Sequence, residues 1–262
     1  MSSLIFPILI VSSIGLISGL GLSIASIIMN VPKDELTEKI ENVLPGANCG
    51  SCGYSGCSGY AKALAKREAG TTLCSPGGEK VANQISNILG VKAEKIEKKV
   101  AILNCMGSND NTQKKMAYQG INSCSAAVQF FGGSSLCDFG CLGLGDCVNS
   151  CEYNAINICN GIANINFNNC KGCSKCVNTC PKHLISITPL KKQAVVLCSN
   201  CDKGAQTNKV CKVGCIGCMR CVKACQYDAI KVENFLARIN PDKCIGCGKC
   251  LDECKRGCIT LV

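Results

Sequence analysis

The chain begins with one long apolar segment, and the rest mixes short apolar and polar stretches. Leu4 to Met29 is a run of 26 residues without a charged side chain. At about 1.5 Å per residue, a helix of that length reaches roughly 39 Å, which exceeds a hydrocarbon core of about 30 Å. A secretory signal peptide is the alternative, but only Met1, Ser2 and Ser3 precede the run and none of them is basic. The pattern therefore predicts a transmembrane anchor over residues 1–30.

Beyond the anchor, hydrophobic periodicity predicts only short elements. Tyr60 to Ala69 has a helical pattern that Gly70 ends, and Glu79 to Leu89 has another. The lysine-rich stretch Lys92 to Lys99 is typical of a solvated helix face, and Val100 to Leu103 is typical of a strand. These elements fall in a membrane-proximal domain over residues 31–76 and in a connecting segment over residues 77–135.

Cysteine changes this picture, because 27 of the 262 residues are cysteine. Three runs share the spacing Cys-x2-Cys-x2-Cys-x3-Cys, and they begin at Cys170, Cys215 and Cys244. Three thiolates two residues apart wrap one loop around a cubane, and the fourth reaches the other cluster of a two-cluster ferredoxin. Zinc sites use separated Cys-x2-Cys pairs, and an odd number of cysteines fits a disulfide framework poorly. The runs predict 4Fe–4S clusters.

An internal repeat organises the C-terminal half of the chain. A shift of 74 residues superposes Cys137, Cys141, Cys147, Cys151, Cys170, Cys173, Cys176 and Cys180 on Cys211, Cys215, Cys221, Cys225, Cys244, Cys247, Cys250 and Cys254. The repeat predicts two ferredoxin modules, over residues 136–190 and 210–262, joined by a linker over residues 191–209. The expected fold is α+β, with a transmembrane helix, a small helical four-cysteine Fe–S domain and two tandem bacterial-ferredoxin-like two-cluster modules.

The standard pairing of such modules predicts the ligands of each cluster. The regular sets are Cys170, Cys173, Cys176 and Cys151; Cys215, Cys218, Cys221 and Cys254; and Cys244, Cys247, Cys250 and Cys225. The first module is defective, because Leu144 stands where the repeat has Cys218. Cys137 is the expected replacement beside Cys141, Cys147 and Cys180, and a three-iron cluster on the last three is the alternative.

Two further cysteine groups lie outside the repeat. Cys49, Cys52, Cys57 and Cys74 lie within a span of 26 residues after the anchor, with glycines between them that let backbone amides point at sulfur. A cubane is expected there, with structural zinc as the alternative. Cys105, Cys124, Cys198 and Cys211 are candidates for a sixth cluster, and buried free thiols are the competing explanation.

The formal charge of +10 does not indicate a nucleic-acid partner. An oxidised cubane with four thiolates carries about −2, so five clusters offset about ten positive charges. The chain also has no Trp, which leaves few platforms on which bases could stack. No Gly-x-Gly-x2-Gly, Walker or triad motif is present, so no site for nicotinamide or flavin is evident in the sequence.

The arrangement resembles a known family. An anchor, a four-cysteine site and ferredoxin modules, together with the stretches Phe139 to Cys147 and Cys211 to Cys218, are similar to the B subunits of Rnf complexes in their longer form. The resemblance covers essentially the whole chain. It implies a cubane on Cys49, Cys52, Cys57 and Cys74.

The resemblance also implies a function and partners. The chain would relay electrons from soluble ferredoxin through five 4Fe–4S clusters, or six, towards a flavin- and NAD-binding subunit, coupled to Na⁺ or H⁺ translocation beside other membrane subunits. Reducing conditions for thiolates and the positive-inside rule place the Fe–S domains on the cytoplasmic side of the membrane, with the N-terminus outside. The alternatives are an Fe–S subunit of another membrane redox enzyme such as a hydrogenase, and a membrane-tethered metal-binding scaffold without a redox role.

Overall fold

The computed structural model describes residues 2–28, 34–92 and 96–262. In this part of the chain the helices are α1 Ser2–Ile28, α2 Glu35–Val43, α3 Cys57–Ala65, α4 Gly78–Leu89, α5 Cys124–Val128, α6 Asp146–Asn149, α7 Lys175–Thr179, α8 Gly204–Val210, α9 Arg220–Ala224 and α10 Lys249–Asp252. The strands are β1 Lys99–Leu103, β2 Ile156–Cys159, β3 Ile162–Ile165, β4 Ile185–Pro189, β5 Ala194–Val196, β6 Ile230–Glu233, β7 Leu236–Ile239 and β8 Ile259–Leu261.

Helix α1 covers most of the uncharged N-terminal run. Among the residues that the structure describes, no helix meets both the length and the apolar character that a membrane crossing requires. The transmembrane anchor predicted over residues 1–30 is therefore not confirmed, and residues 1, 29 and 30 of that range lie outside the described part.

The segment after α1 forms a small three-helix domain. Ile40, Tyr60, Leu64 and Ile85 from α2, α3 and α4 are almost fully buried and form its core. The Tyr60 hydroxyl donates a hydrogen bond of 2.6 Å to the carbonyl of Gly70, so the one polar atom of that ring is satisfied. The two predicted helices are present here, although α3 begins and ends earlier than the sequence pattern predicted.

The C-terminal part, residues 96–262, is described throughout and contains four two-stranded antiparallel sheets, two for each ferredoxin module. In the first module, β2 pairs with β3 so that Ile156 lies opposite Ile165. In the second module, β6 pairs with β7 so that Ile230 lies opposite Ile239. Both pairings match at the 74-residue shift, so the duplication seen in the cysteines extends to the strand register.

The outer sheet of each module takes its first strand from outside the repeat. Strand β1 belongs to the connecting segment and pairs with β4, with Leu103 opposite Ile185. Strand β5 belongs to the linker and pairs with β8, with Val196 opposite Ile259. Of the stretch Lys92 to Lys99, residues 93–95 lie outside the described part, residues 96–98 are irregular and Lys99 begins β1, so a helix there is wrong for the described residues.

The cysteine loops lie against these added strands at close range. A Cβ on Gly172 would meet the Lys99 carbonyl oxygen at 2.6 Å, and the φ of Gly172 is +62°. Gly246, with a φ of +68°, approaches the backbone of Lys192 in the same way. Only glycine fits both the dihedral angle and the space. These contacts fix each loop against the strand that completes its module.

Candidate metal centres

The structure groups 24 of the cysteines into six quartets, which we number from the N-terminal domain outward. They are site 1 (Cys49, Cys52, Cys57, Cys74), site 2 (Cys151, Cys170, Cys173, Cys176), site 3 (Cys124, Cys141, Cys147, Cys180), site 4 (Cys105, Cys137, Cys198, Cys211), site 5 (Cys215, Cys218, Cys221, Cys254) and site 6 (Cys225, Cys244, Cys247, Cys250).

Site 1 lies in the three-helix domain, where the loop before α3 and the loop before α4 meet. Burial raises the pKa of Cys74, and the neighbouring thiols of Cys57, Cys49 and Cys52 add to the rise. The Asn48 side-chain oxygen accepts a hydrogen bond of 2.8 Å from the backbone amide of Cys57, which fixes the start of α3. The four thiols predicted for this site are therefore neighbours.

Sites 2 and 6 also contain the residues that the repeat predicted. Burial raises the pKa of Cys176 to about 12, and the thiols of site 2 around it add to the rise. Burial likewise raises the pKa of Cys250, beside the other thiols of site 6. Each site joins three cysteines of one loop to one cysteine at the end of a helix in the other half of the module, as two-cluster ferredoxins do.

Site 3 differs from the prediction, because Cys124 and not Cys137 lies beside Cys141, Cys147 and Cys180. Burial raises the pKa of Cys147 to about 12, and the Cys141, Cys124 and Cys180 thiols add to the rise. Cys124 begins α5 in the connecting segment. This helix brings a fourth thiol to the place that Leu144 leaves without one.

Asp146 connects α5 to the rest of site 3. Its carboxylate accepts hydrogen bonds of 2.9 Å from the backbone amides of Cys124 and Ser125, and of 3.0 Å from the hydroxyls of Ser123 and Ser125. Desolvation opposes ionisation, yet these hydrogen bonds lower the pKa of Asp146 below its usual range. A carboxylate at the first turn of a helix caps orphan amides, so Asp146 fixes the position of Cys124.

Site 4 takes the cysteine that site 3 does not use. Cys137 lines one cavity with Cys105, Cys198 and Cys211. The Asn200 side-chain amide donates to the Cys137 sulfur over 3.4 Å, and Asn200 is 2% exposed. Burial raises the pKa of Cys105 to about 12. The sixth quartet is therefore present with Cys137 in place of the predicted Cys124.

Site 5 has the four predicted cysteines and one more. Cys215, Cys218, Cys221 and Cys254 line an apolar cavity of about 190 Å³ together with Cys258. Burial raises the pKa of Cys221 to about 11, and the Cys215, Cys218 and Cys254 thiols add to the rise. The neighbouring Cys258 thiol lowers the pKa of Cys215 below its ordinary value. The cysteine spacing contains no signal that would have assigned Cys258 to this site.

Backbone amides point at sulfur in the same way in both modules. The amide of Cys141 donates to Cys105 over 3.4 Å, and the amide of Cys215 donates to Cys198 over 3.3 Å. Ala101 donates to the sulfur of Cys170 over 3.3 Å, and Ala194 donates to that of Cys244 over 3.4 Å. Amide hydrogen bonds stabilise thiolate charge and tune the reduction potential of a cluster.

The donor chemistry fits iron–sulfur clusters. Within residues 2–28, 34–92 and 96–262, no group of three or more His, Cys, Asp or Glu side chains is arranged to hold one single metal ion. A cubane takes one thiolate for each iron, so its four ligands surround a cavity rather than a point. The cavities at sites 4 and 6 have four thiols in their walls and the cavity at site 5 has five, and the remaining lining is mostly apolar or backbone atoms. Soft thiolate ligands select clusters of this kind.

Comparison with known proteins agrees with this geometry. The family model described as "Putative Fe-S cluster" matches residues 44–76, which contain site 1. The family model of the 4Fe–4S dicluster domain matches residues 214–258, which contain sites 5 and 6. The chain is 36% identical over 243 residues, and over 92% of each chain, to the B subunit of the ion-translocating oxidoreductase complex of Methanosarcina acetivorans. The chain belongs to the family of Rnf B subunits.

Two other members of the Rnf family are named by reaction. The B subunit of the proton-translocating ferredoxin:NAD(+) oxidoreductase complex of Clostridium ljungdahlii is 40% identical over 242 residues, which are 92% of this chain and 85% of the relative. The B subunit of the Na(+)-translocating ferredoxin:NAD(+) oxidoreductase complex of Acetobacterium woodii is 38% identical over 261 residues, which are 99% of this chain and 78% of the relative. The resemblance inferred from the sequence is confirmed.

Proposed function

We propose that this chain is the electron-relay subunit of an ion-translocating ferredoxin:NAD oxidoreductase complex. It would receive electrons from reduced ferredoxin and pass them through 4Fe–4S clusters towards a flavin- and NAD-binding subunit. Family membership supports the reaction, because two relatives carry it in their names. The observation that carries the proposal is that the six thiol quartets form one unbroken series.

The first three quartets are joined through the N-terminal domain and the first module. Burial raises the pKa of Cys173 in site 2, and the first thiol that adds to the rise is Cys49 of site 1, so the two sites are neighbours. Cys176 of site 2 acts in the same way on Cys147 of site 3. The three-helix domain is therefore placed against site 2 of the first module.

The last three quartets continue the series into the second module. The amide of Cys141 in site 3 donates to Cys105 in site 4, and the amide of Cys215 in site 5 donates to Cys198 in site 4. Helix α9 carries Cys221 of site 5, and Cys225 of site 6 follows its last residue, Ala224. Site 4 thus contains Cys105 and Cys137 from the first module and the segment of its added strand β1. It also contains Cys198 and Cys211 from the second module and the segment of its added strand β5, so it connects the two modules.

The two ends of the series differ in exposure. Cys218 of site 5 and Cys247 of site 6 are exposed, whereas the thiols of sites 1 to 4 are buried or half-buried. When bound, each cluster would supply a one-electron centre whose potential depends on hydrogen bonds and exposure. Electrons from a soluble donor would arrive at the exposed end and leave from site 1. Site 4 is the residue set that makes this path continuous.

We extend the proposal to the ligands and to the membrane. The six quartets are the ligand sets, with Cys124 in site 3 and Cys137 in site 4. Attachment to the cytoplasmic membrane, with a single pass and the N-terminus outside, would use α1. Among residues 10–26 of this helix, eight large apolar side chains are exposed: Ile10, Val11, Ile14, Leu16, Ile17, Leu20, Leu22 and Ile24. Removing residues 1–30 is expected to give a soluble protein with full iron content, and loss of iron would contradict a purely anchoring role.

Metal analysis tests the proposal on the full-length chain purified without oxygen. Six cubanes give about 24 irons and as many sulfides, and five give about 20. Cys137→Ala is expected to lose about four irons from site 4 and to leave site 3 filled, because Cys124 supplies the fourth thiol of site 3. Cys159→Ala is the matched control, since Cys159 is exposed on β2 outside the six quartets, and it should lose none.

Electron transfer separates the proposal from its alternatives. In the assembled complex, reduced ferredoxin should bleach the visible absorption of the chain and NAD should be reduced. Cys137→Ala should stop NAD reduction while sites 5 and 6 still accept electrons from ferredoxin. A chain with eight or fewer irons, or one whose clusters ferredoxin does not reduce, would be a scaffold or a subunit of another enzyme.

A further inference from the structure

Site 5 contains a fifth thiol that the ligand count does not need. Cys258 is 2% exposed and lines the same cavity as the four cysteines of site 5. Its sulfur lies 3.6 Å from the sulfur of Cys254, and Cys215 lines the same cavity. Among the described residues, Cys258 is the one buried cysteine outside the six quartets.

The first module shows that the fold does not require a thiol at this position. The residue 74 positions earlier is Leu184, which is also 2% exposed. Its carbonyl accepts a hydrogen bond of 2.7 Å from the amide of Asn104, just as the carbonyl of Cys258 accepts one of 2.7 Å from the amide of Leu197. The backbone role is the same in both modules, and only the side chain differs.

The difference between leucine and cysteine lies in hydrogen bonding. A leucine side chain packs against the cluster cavity but donates nothing. A thiol is a weak donor, and a ligand thiolate can only accept. In a buried site such a bond is stronger than it would be in water, and hydrogen bonds to ligand sulfurs raise the reduction potential of a cluster. Cys258 faces such an acceptor in Cys254, at 3.6 Å.

We propose that Cys258 is a potential-tuning residue whose S–H group donates to the ligand sulfur of Cys254. The hydrogen bond raises the reduction potential of site 5 above the value that a leucine at this position, as in site 3, would give. The higher potential favours electron transfer from site 6 to site 5. The inference rests on the proposed function, because it requires a cluster at site 5. Cys258 is a positioning and tuning group and is not itself a ligand.

Redox titration of the full-length chain, followed by electron paramagnetic resonance, tests the inference. The site 5 signal is identified as the component that Cys218→Ser removes. Cys258→Leu copies the side chain of the first module and should fold, because Leu184 fills the equivalent place. It is expected to keep all its iron and to move the site 5 midpoint to a lower potential. Cys258→Ser keeps a donor and should keep most of the wild-type midpoint.

The reciprocal variant makes the test independent of site 5. Leu184→Cys should move the site 3 midpoint to a higher potential, while Cys159→Ala should move neither midpoint. An unchanged site 5 midpoint in an iron-replete Cys258→Leu protein overturns the inference. Loss of about four irons from that variant also overturns it, because Cys258 would then be a ligand. If the wild-type chain binds no clusters, the proposed function fails first, and the iron count reveals this.

Discussion

The two ferredoxin modules have one sequence pattern and build their first cluster sites differently. In the second module, Cys215, Cys218 and Cys221 come from one loop, and Cys218 is exposed. In the first module, Leu144 replaces the middle cysteine, and Cys124 arrives from outside the loop. Both sites therefore have four thiols. In site 5 three of them come from one loop, whereas site 3 obtains one of its thiols through a contact between segments that are distant in the sequence.

The two modules differ in this way because the segment that precedes the first module is longer than the segment that precedes the second. Cys137 lies 32 residues after Cys105, whereas Cys211 lies only 13 residues after Cys198. These pairs are equivalent, because Cys105 and Cys198 accept amide hydrogen bonds from equivalent residues. The additional residues of the first module contain α5 and Cys124. These additional residues form an insertion that supplies the fourth thiol of site 3.

The largest expected effect comes from removing the inserted ligand. Cys124→Ala should empty site 3 or reduce it to three irons, and ferredoxin-dependent NAD reduction in the complex should fall by roughly tenfold or more, since even outer-shell changes at metal sites cost that much. Adding Leu144→Cys to Cys124→Ala recreates the loop of the second module and should restore the iron. Iron analysis and activity measure both effects. A Cys124→Ala chain with full iron would contradict the role of Cys124.

A second test removes the contact that positions the insertion. Asp146→Ala deletes the carboxylate that caps α5, which should cost about 1 kcal/mol of stability and lower the occupancy of site 3. The depressed pKa of Asp146 means that its contribution is present above the unfolded pKa and is lost as the pH falls through the folded one. Arg220 stands at the equivalent place in the second module, so Arg220→Ala is the control and should leave the iron content unchanged.

The third test concerns the pH dependence of the metal-free chain. Burial raises the pKa of Cys147 from its ordinary value of 9.0 to about 12, and that of Cys221 to about 11. Unfolded thiols ionise near 9.0, so stability from these buried groups is complete below that pH and is lost as the pH rises towards 11 to 12. Thermal melting of reduced apo-protein between about pH 7 and pH 11 should show a falling midpoint. A midpoint that rises over this range would contradict the burial of the thiols.

The smallest expected effect compares one ion pair with its neutral counterpart. Lys175 pairs with Glu152 in the first module, and Lys249 donates to Gln226 over 2.9 Å at the equivalent place in the second. Both contacts lie at the surface, where such pairs contribute little. Glu152→Gln should shift the melting temperature by less than about 2 °C. Gln226→Glu is the reciprocal variant, and a larger shift in either would indicate that the pair contributes to the neighbouring cluster site.

The sequence alone determined the cofactor type, the duplication and most of the quartets. Sites 1, 2, 5 and 6 could be predicted because three of the four thiols in each lie within one short loop, where spacing along the chain sets distance in space. Helix α4 and strand β1 could be predicted because their hydrophobic periods are local. The family could also be recognised, since its motifs are contiguous.

The exchange of Cys124 and Cys137 was decided only by the tertiary structure. The repeat itself was misleading, because Cys124 lies 74 residues before Cys198 although its structural counterpart is not Cys198. Because of the insertion, residues before Cys137 no longer match the second module at a shift of 74 residues. The spacing of the cysteines therefore does not predict which segment contributes a thiol to site 3. Likewise, β1 and β5 lie outside the repeat and join it through backbone pairing. Contacts between distant segments depend on which surfaces bury each other, and this is settled when the whole chain packs.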